Sequence, residues 1–99
     1  MPHARRVDAN HAEVASAFRS LGCQVLDLSR VGHDVPDLLV RVPGCGLHLV
    51  EVKDGAKPAY RRRLSQGQRE FATLWGSFVI TTVEQAIELV RRLRAGAFA

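Results

Sequence analysis

Val14, Phe18 and Leu21 recur on one stripe at helical spacing, with Ala17 between them, and predict a helix from about Ala9 to Leu21. Asp8 or Asn10 is placed to cap its start, and Gly22 to stop it. The period then shortens. Val25, Leu26 and Leu28 suggest a short strand, and Ser29 to Pro36 is a polar loop containing Gly32. Asp37 to Val42 and Leu47 to Lys53 read as two strands joined by the tight turn Pro43 to Gly46, hence a hairpin. Asp54 to Arg63 is a loop of about ten residues, long enough for a compact domain to suggest a role. Ser65 opens a second helix that runs to about Trp75 and stops at Gly76. Phe71, Leu74 and Trp75 on it read as core. Phe78 to Thr81 is a fourth strand. Thr82 caps a last helix, Val83 to Arg94, with Gln85 completing a capping box.

The order is one helix, three strands, a helix, a strand and a helix. A meander followed by a crossover helix and one more strand predicts an α/β domain, with a mixed sheet and helices on both faces. The 99 residues suit one domain, 1–99. Hydrophobic residues make up 46% and charged residues 24%, a balance that excludes a disordered chain. No apolar run approaches the roughly 20 residues of a membrane span, so no membrane partner is expected. Arg5 and Arg6 have no apolar stretch after them, unlike a signal peptide. Cys23 and Cys45 lack metal-site spacing and read as two reduced thiols of a cytoplasmic protein.

Charge adds direction to this picture. The net charge is +4, and 12 of the 14 basic residues are arginines, whose planar fork suits phosphate. Nucleic acid therefore ranks high among the partners.

The hairpin carries the main chemical signal. Alternation places Glu51 and Lys53 on one face of their strand and Val50 and Val52 on the other. Leu47 and Leu49 share the face of Glu51, so a carboxylate adjoins apolar surface, which is costly unless a cation or hydrogen bonds compensate it. Asp37 opens the neighbouring strand. A hairpin folded about Pro43 to Gly46 sets Asp37 opposite position 52, within one residue of Glu51. Two carboxylates so placed repel unless one is protonated or a divalent cation lies between them. Hard oxygen ligands of this kind suit Mg²⁺ or Mn²⁺.

Pro36-Asp37, followed across a hairpin by Glu51-Val52-Lys53, resembles the PD-(D/E)XK nuclease motif. The wider pattern is similar to the virus-type replication-repair nuclease (VRR-NUC) domain and the related Holliday junction resolvases. The stretches that carry it are Asp8 to Glu13, Val35 to Val40, Leu49 to Gly55 and Leu64 to Gln68. They run in order through most of the chain. The resemblance implies a restriction-endonuclease-like αβββαβ core with a C-terminal helix, and metal-dependent hydrolysis of DNA phosphodiesters, selective for junctions or other branched structures. It also implies a homodimer in the cytoplasm of a bacterial or phage-infected cell. Asp37 and Glu51 would ligate Mg²⁺ or Mn²⁺ with the backbone carbonyl of Val52, and Lys53 would orient the attacking water.

Two further residues carry two readings each. Glu13 matches an acidic residue of the first helix near the metal, a further ligand and catalytic group; Asn10 and Glu13 also have capping-box spacing. Gln68 matches a glutamine after the motif, and Ser65 with Gln68 also spells a capping box. Lys57, Arg61, Arg62 and Arg63 follow the motif closely enough to grip a DNA backbone, and Tyr60 to stack on a base. His33 and Asp34 read as surface loop. Ala86, Ile87, Leu89, Val90 and Leu93 give the last helix a wide apolar face, either a dimer surface or the monomer's own core. The alternative function is a DNA-binding module on the same fold that does not cut; a structural or partner-binding domain is the third.

Overall fold

The computed structural model describes residues 7–98, so Arg5 and Arg6 lie outside the described residues. Helix α1 (His11–Ser20) is followed by strands β1 (Gln24–Asp27), β2 (Leu38–Arg41) and β3 (Leu47–Val52). Helix α2 (Gln66–Trp75), strand β4 (Phe78–Ile80) and helix α3 (Val83–Arg94) complete the chain. The result is an α/β domain with one four-stranded mixed sheet, ordered β1-β2-β3-β4. The β1–β2 and β2–β3 pairs are antiparallel and β3–β4 is parallel. Among the described residues, no helix is long and apolar enough to cross a membrane.

Alternation along β2 and β3 decides where the core lies. Leu38, Val40, Val50 and Val52 point to one face and are almost wholly out of water. Val14 and Phe18 of α1, and Ala86, Leu89 and Val90 of α3, cover them. The apolar stripe of α3 is therefore turned into the monomer; Ile87 alone of the five residues read as a possible dimer face is substantially exposed. Helix α2 is different. None of its residues is fully buried, and Leu74 and Trp75, read from the sequence as core, are 81% and 67% exposed. Phe71 is half-buried and stacks on Trp75. At this chain length, α1 and α3 already close the core, and no second apolar layer is left to receive α2.

Three local expectations also change. Strand β1 begins one residue earlier than read, at Gln24, and ends at Asp27; Leu28 still donates its N–H to the Asp37 carbonyl. The 54–63 loop contains a turn of 3₁₀ helix, Ala59–Arg61. Helix α1 has no side-chain cap: Asn10 stands at the cap position and makes no capping hydrogen bond, so the Asn10–Glu13 box does not form. Of the two other expected capping boxes, the one on α2 forms in full and the one on α3 only in half. Ser65 and Gln68 form a complete capping box on α2. Thr82 accepts from the Gln85 N–H, while the Gln85 side chain turns back one residue further, to Thr81.

Candidate active site

The hairpin turn sets the register. Val42 donates to the Gly46 carbonyl, and Leu38 lies opposite Val50. One further step places Asp37 opposite Glu51 rather than opposite Val52, a shift of one residue from the sequence-based register. The shift follows from the turn, which closes between Val42 and Gly46. Directly opposed residues share a face, so both carboxylates stand on the side away from Val50 and Val52.

Both acids are deeply buried, Asp37 at 4% and Glu51 at 5% exposure. Burial of a carboxylate demands compensation, and each has some. An Asp37 carboxylate oxygen accepts the Val52 N–H at 2.8 Å. Glu51 accepts from the Gln68 side-chain amide at 2.9 Å. The Lys53 ammonium stands 3.8 Å from the same Glu51 oxygen and donates to the Gln68 carbonyl oxygen at 3.1 Å. That oxygen also accepts the Ser65 N–H at 2.9 Å, the reciprocal half of the cap.

Gln68 thus joins its two sequence readings in one side chain. Its carbonyl end caps α2 and holds Lys53, and its amide end reaches Glu51. The cap fixes the rotamer, and the fixed rotamer carries the amide to the carboxylate. The structure brings together Asp37, Glu51, Val52, Lys53 and Gln68. Glu13 is exposed on α1, and no hydrogen bond or ion pair among the described residues joins it to these groups.

The loop after Lys53 divides. Arg61, Arg63 and Tyr60 are exposed, with Tyr60 at 67%. Arg62 is half-buried. Lys57 is held by Asp8 at 2.7 Å, which lowers its availability to a phosphate. His33 and Asp34, in the loop before β2, are exposed, and both adopt left-handed backbone angles, φ 56° and 62°.

Some contacts had no local signature. His11 is buried and its imidazole meets the Asp27 carboxylate at 3.2 Å. Hydrogen bonds from Ser29, helped by His11, hold the Asp27 carboxyl below its ordinary range. Asn10, read as a cap, instead donates from its amide to the carbonyls of Lys53 and Thr81. A residue whose partners lie on distant strands gives no spacing signal.

Chemically, the cluster offers two carboxylates with one adjacent ammonium. Among the described residues, no group of three or more His, Cys, Asp or Glu side chains is arranged to hold a metal. Two carboxylates suffice for Mg²⁺, which commonly takes one or two and fills its octahedron with water and substrate phosphate. The donor set therefore fits a hard divalent cation. Compared with known proteins, the chain matches no family model, no curated protein and no solved structure.

Proposed function

We propose that this chain is a metal-dependent endonuclease that hydrolyses DNA phosphodiester bonds, on the restriction-endonuclease-like core of the PD-(D/E)XK and VRR-NUC families that its motifs resemble. The observation that carries the reading is two buried carboxylates at one end of the hairpin, Asp37 held by the Val52 N–H and Glu51 beside a lysine held by Gln68. A module that merely binds DNA gains nothing from burying two acids where a phosphate would approach, because like charges repel.

Asp37, Glu51 and the Val52 carbonyl would hold Mg²⁺ or Mn²⁺, which supplies positive charge for the phosphate and a lower pKa for water. The remaining work belongs to the chain. Lys53, kept in place by the Gln68 carbonyl, orients the attacking water and offsets charge developing on the phosphate. Gln68 keeps Glu51 oriented by its amide. Arg61 and Arg63 present exposed guanidinium groups to the DNA backbone, and Tyr60 offers a ring to a base.

The test is cleavage of a panel of junction, flap, nicked and duplex DNA with Mg²⁺, Mn²⁺ or EDTA. Asp37→Asn, Glu51→Gln and Lys53→Ala should each abolish cleavage and keep the fold. A variant that cuts at the wild-type rate removes its residue from the site. Wild-type protein that binds DNA in a salt-sensitive way without cutting would establish the non-cleaving module instead.

A homodimer belongs to the same proposal, since a junction needs a cut on each of two strands and two-fold symmetry supplies two centres. With α3 turned inward, one exposed apolar patch is on the sheet side bearing Leu26 and Leu47, where Gln24, Leu26, Leu39, Arg41 and Leu47 line a groove of about 270 Å³, and Leu74 and Trp75 of α2 form another. Light scattering with and without junction DNA tests it; a monomer mass in both conditions rejects the dimer.

A further inference from the structure

Asn10 is the most unexpected polar residue of the fold. It stands where α1 begins, yet its side chain ignores the helix and crosses to the ends of two strands. Its amide donates to the Lys53 carbonyl at 3.1 Å and to the Thr81 carbonyl at 2.9 Å. Two acceptors on one side leave one sensible orientation: the NH₂ end faces them, because the oxygen would meet two carbonyl oxygens. The same junction is tied from the other side. The Lys53 N–H bonds the Ile80 carbonyl at 3.0 Å, and the Gly55 N–H bonds the Thr81 carbonyl at 3.0 Å. The Thr81 oxygen therefore accepts from both Asn10 and Gly55. The approach is so close that a Cβ on Gly55 would stand 2.7 Å from that oxygen.

These contacts matter because of where β3 stops. Its last paired residue is Val52, opposite Ile80, so Lys53 is the first residue beyond the strand. A chain leaving a sheet frays unless its backbone groups are satisfied. A lysine side chain is long and flexible, and it reaches Gln68 reproducibly if its own Cα is fixed. The N–H of Lys53 is fixed by β4 and its carbonyl by Asn10.

We propose that Asn10 is a positioning residue for Lys53, locking the peptide that carries it to the end of β4 and so aiming the ammonium at Gln68 and Glu51. The activity arm of this inference rests on the nuclease reading above; the structural arm does not.

The experiment compares wild type with Asn10→Ala and Asn10→Asp in the full chain. Steady-state cleavage should lose about 10- to 100-fold in kcat, the cost expected of a small misplacement, while KM for DNA stays within about twofold. Asn10→Asp should lose more than Asn10→Ala, because a carboxylate would face two carbonyl oxygens. By NMR, amide exchange at Lys53 and Gly55 should accelerate at least about tenfold with exchange at Val50 unchanged. The Lys53 ammonium signal should move toward that of a solvated lysine.

Gly55→Ala pushes on the same carbonyl with Asn10 intact and should reproduce these effects; the double variant should lose less than the sum. If Asn10→Ala fails to fold, Gly55→Ala carries the test with the same outcomes. Wild-type kcat despite accelerated exchange would overturn the positioning role. Unchanged exchange and an unmoved Lys53 signal would overturn the clamp itself. Wild-type protein without cleavage would reject the nuclease reading alone and leave the clamp to be decided by exchange and the Lys53 signal.

Discussion

On the side of the sheet covered by α1 and α3, Val14, Phe18, Leu38, Val40, Val50, Val52 and Val90 are almost wholly removed from water. On the Glu51 side, α2 has no fully buried residue, and its Leu74 and Trp75 stand largely exposed. The first side is held by area, which is non-directional and cooperative. A polar tie to α2 on the second side is Gln68, whose bonds to Glu51, Lys53 and Ser65 depend on angle and distance. A scaffold that carries its stability on one face leaves the other free to be arranged for chemistry, and elements that must adjust around a ligand come from the less stable end of the fold.

The strongest way to break this contrast is Phe18→Ala. The ring is fully buried between helix and sheet, so its loss should cost about 3–5 kcal/mol. That is a large share of the roughly 5–15 kcal/mol of a typical domain. Chemical denaturation followed by circular dichroism measures it, and a cost below about 1 kcal/mol would mean that the core is not where the burial places it.

Gln68→Ala sharpens the contrast from the other side. Loss of its part in the cap should cost about 1 kcal/mol or less. Because the same side chain holds Glu51 and Lys53, cleavage should fall well beyond what that loss of stability explains. Melting temperature and cleavage rate measured together separate the two effects, and unchanged activity would leave Gln68 as a cap alone.

Replacing Arg61 and Arg63 with alanine should leave stability nearly unchanged, since both are exposed. Affinity for DNA should fall evenly across sequences, and the slope of log K against log salt should flatten by about one for each phosphate that is no longer neutralised. An unaltered slope would assign these arginines to solvent.

The smallest effect is expected from Leu74→Gln on α2. With 81% of this side chain in water, stability should change by less than about 0.5 kcal/mol. A destabilisation of about 2 kcal/mol, well outside the range of an exposed position, would reveal a partner or a second copy covering α2 in solution, which dilution would distinguish.

Much of the fold was legible in local pattern. Apolar spacing together with cap and turn residues located the three α-helices and four strands of the described residues to within a few residues, because these signals are written directly into side-chain order. The caps at Ser65 and Thr82 were legible for the same reason, since a side chain bonding three residues on needs no tertiary information. Leu74 and Trp75 were misread because amphipathic spacing says which residues share a face and not whether anything packs against it. Asn10 was misread because its spacing to Glu13 imitates a cap, while two carbonyls on remote strands hold its amide instead.

For the candidate site, the sequence by itself singled out the candidate residues and determined that a hairpin brings Asp37 near Glu51, because two strands joined by a short turn must pair. Tertiary structure decided the rest. The register moved by one residue, since it depends on how the Pro43–Gly46 turn closes. Gln68 came to join cap, lysine and carboxylate because the crossover through α2 returned it to the end of β3. Depth of burial, too, belongs to the assembled fold: it is set by what the neighbouring elements leave open to water, and no local pattern records that.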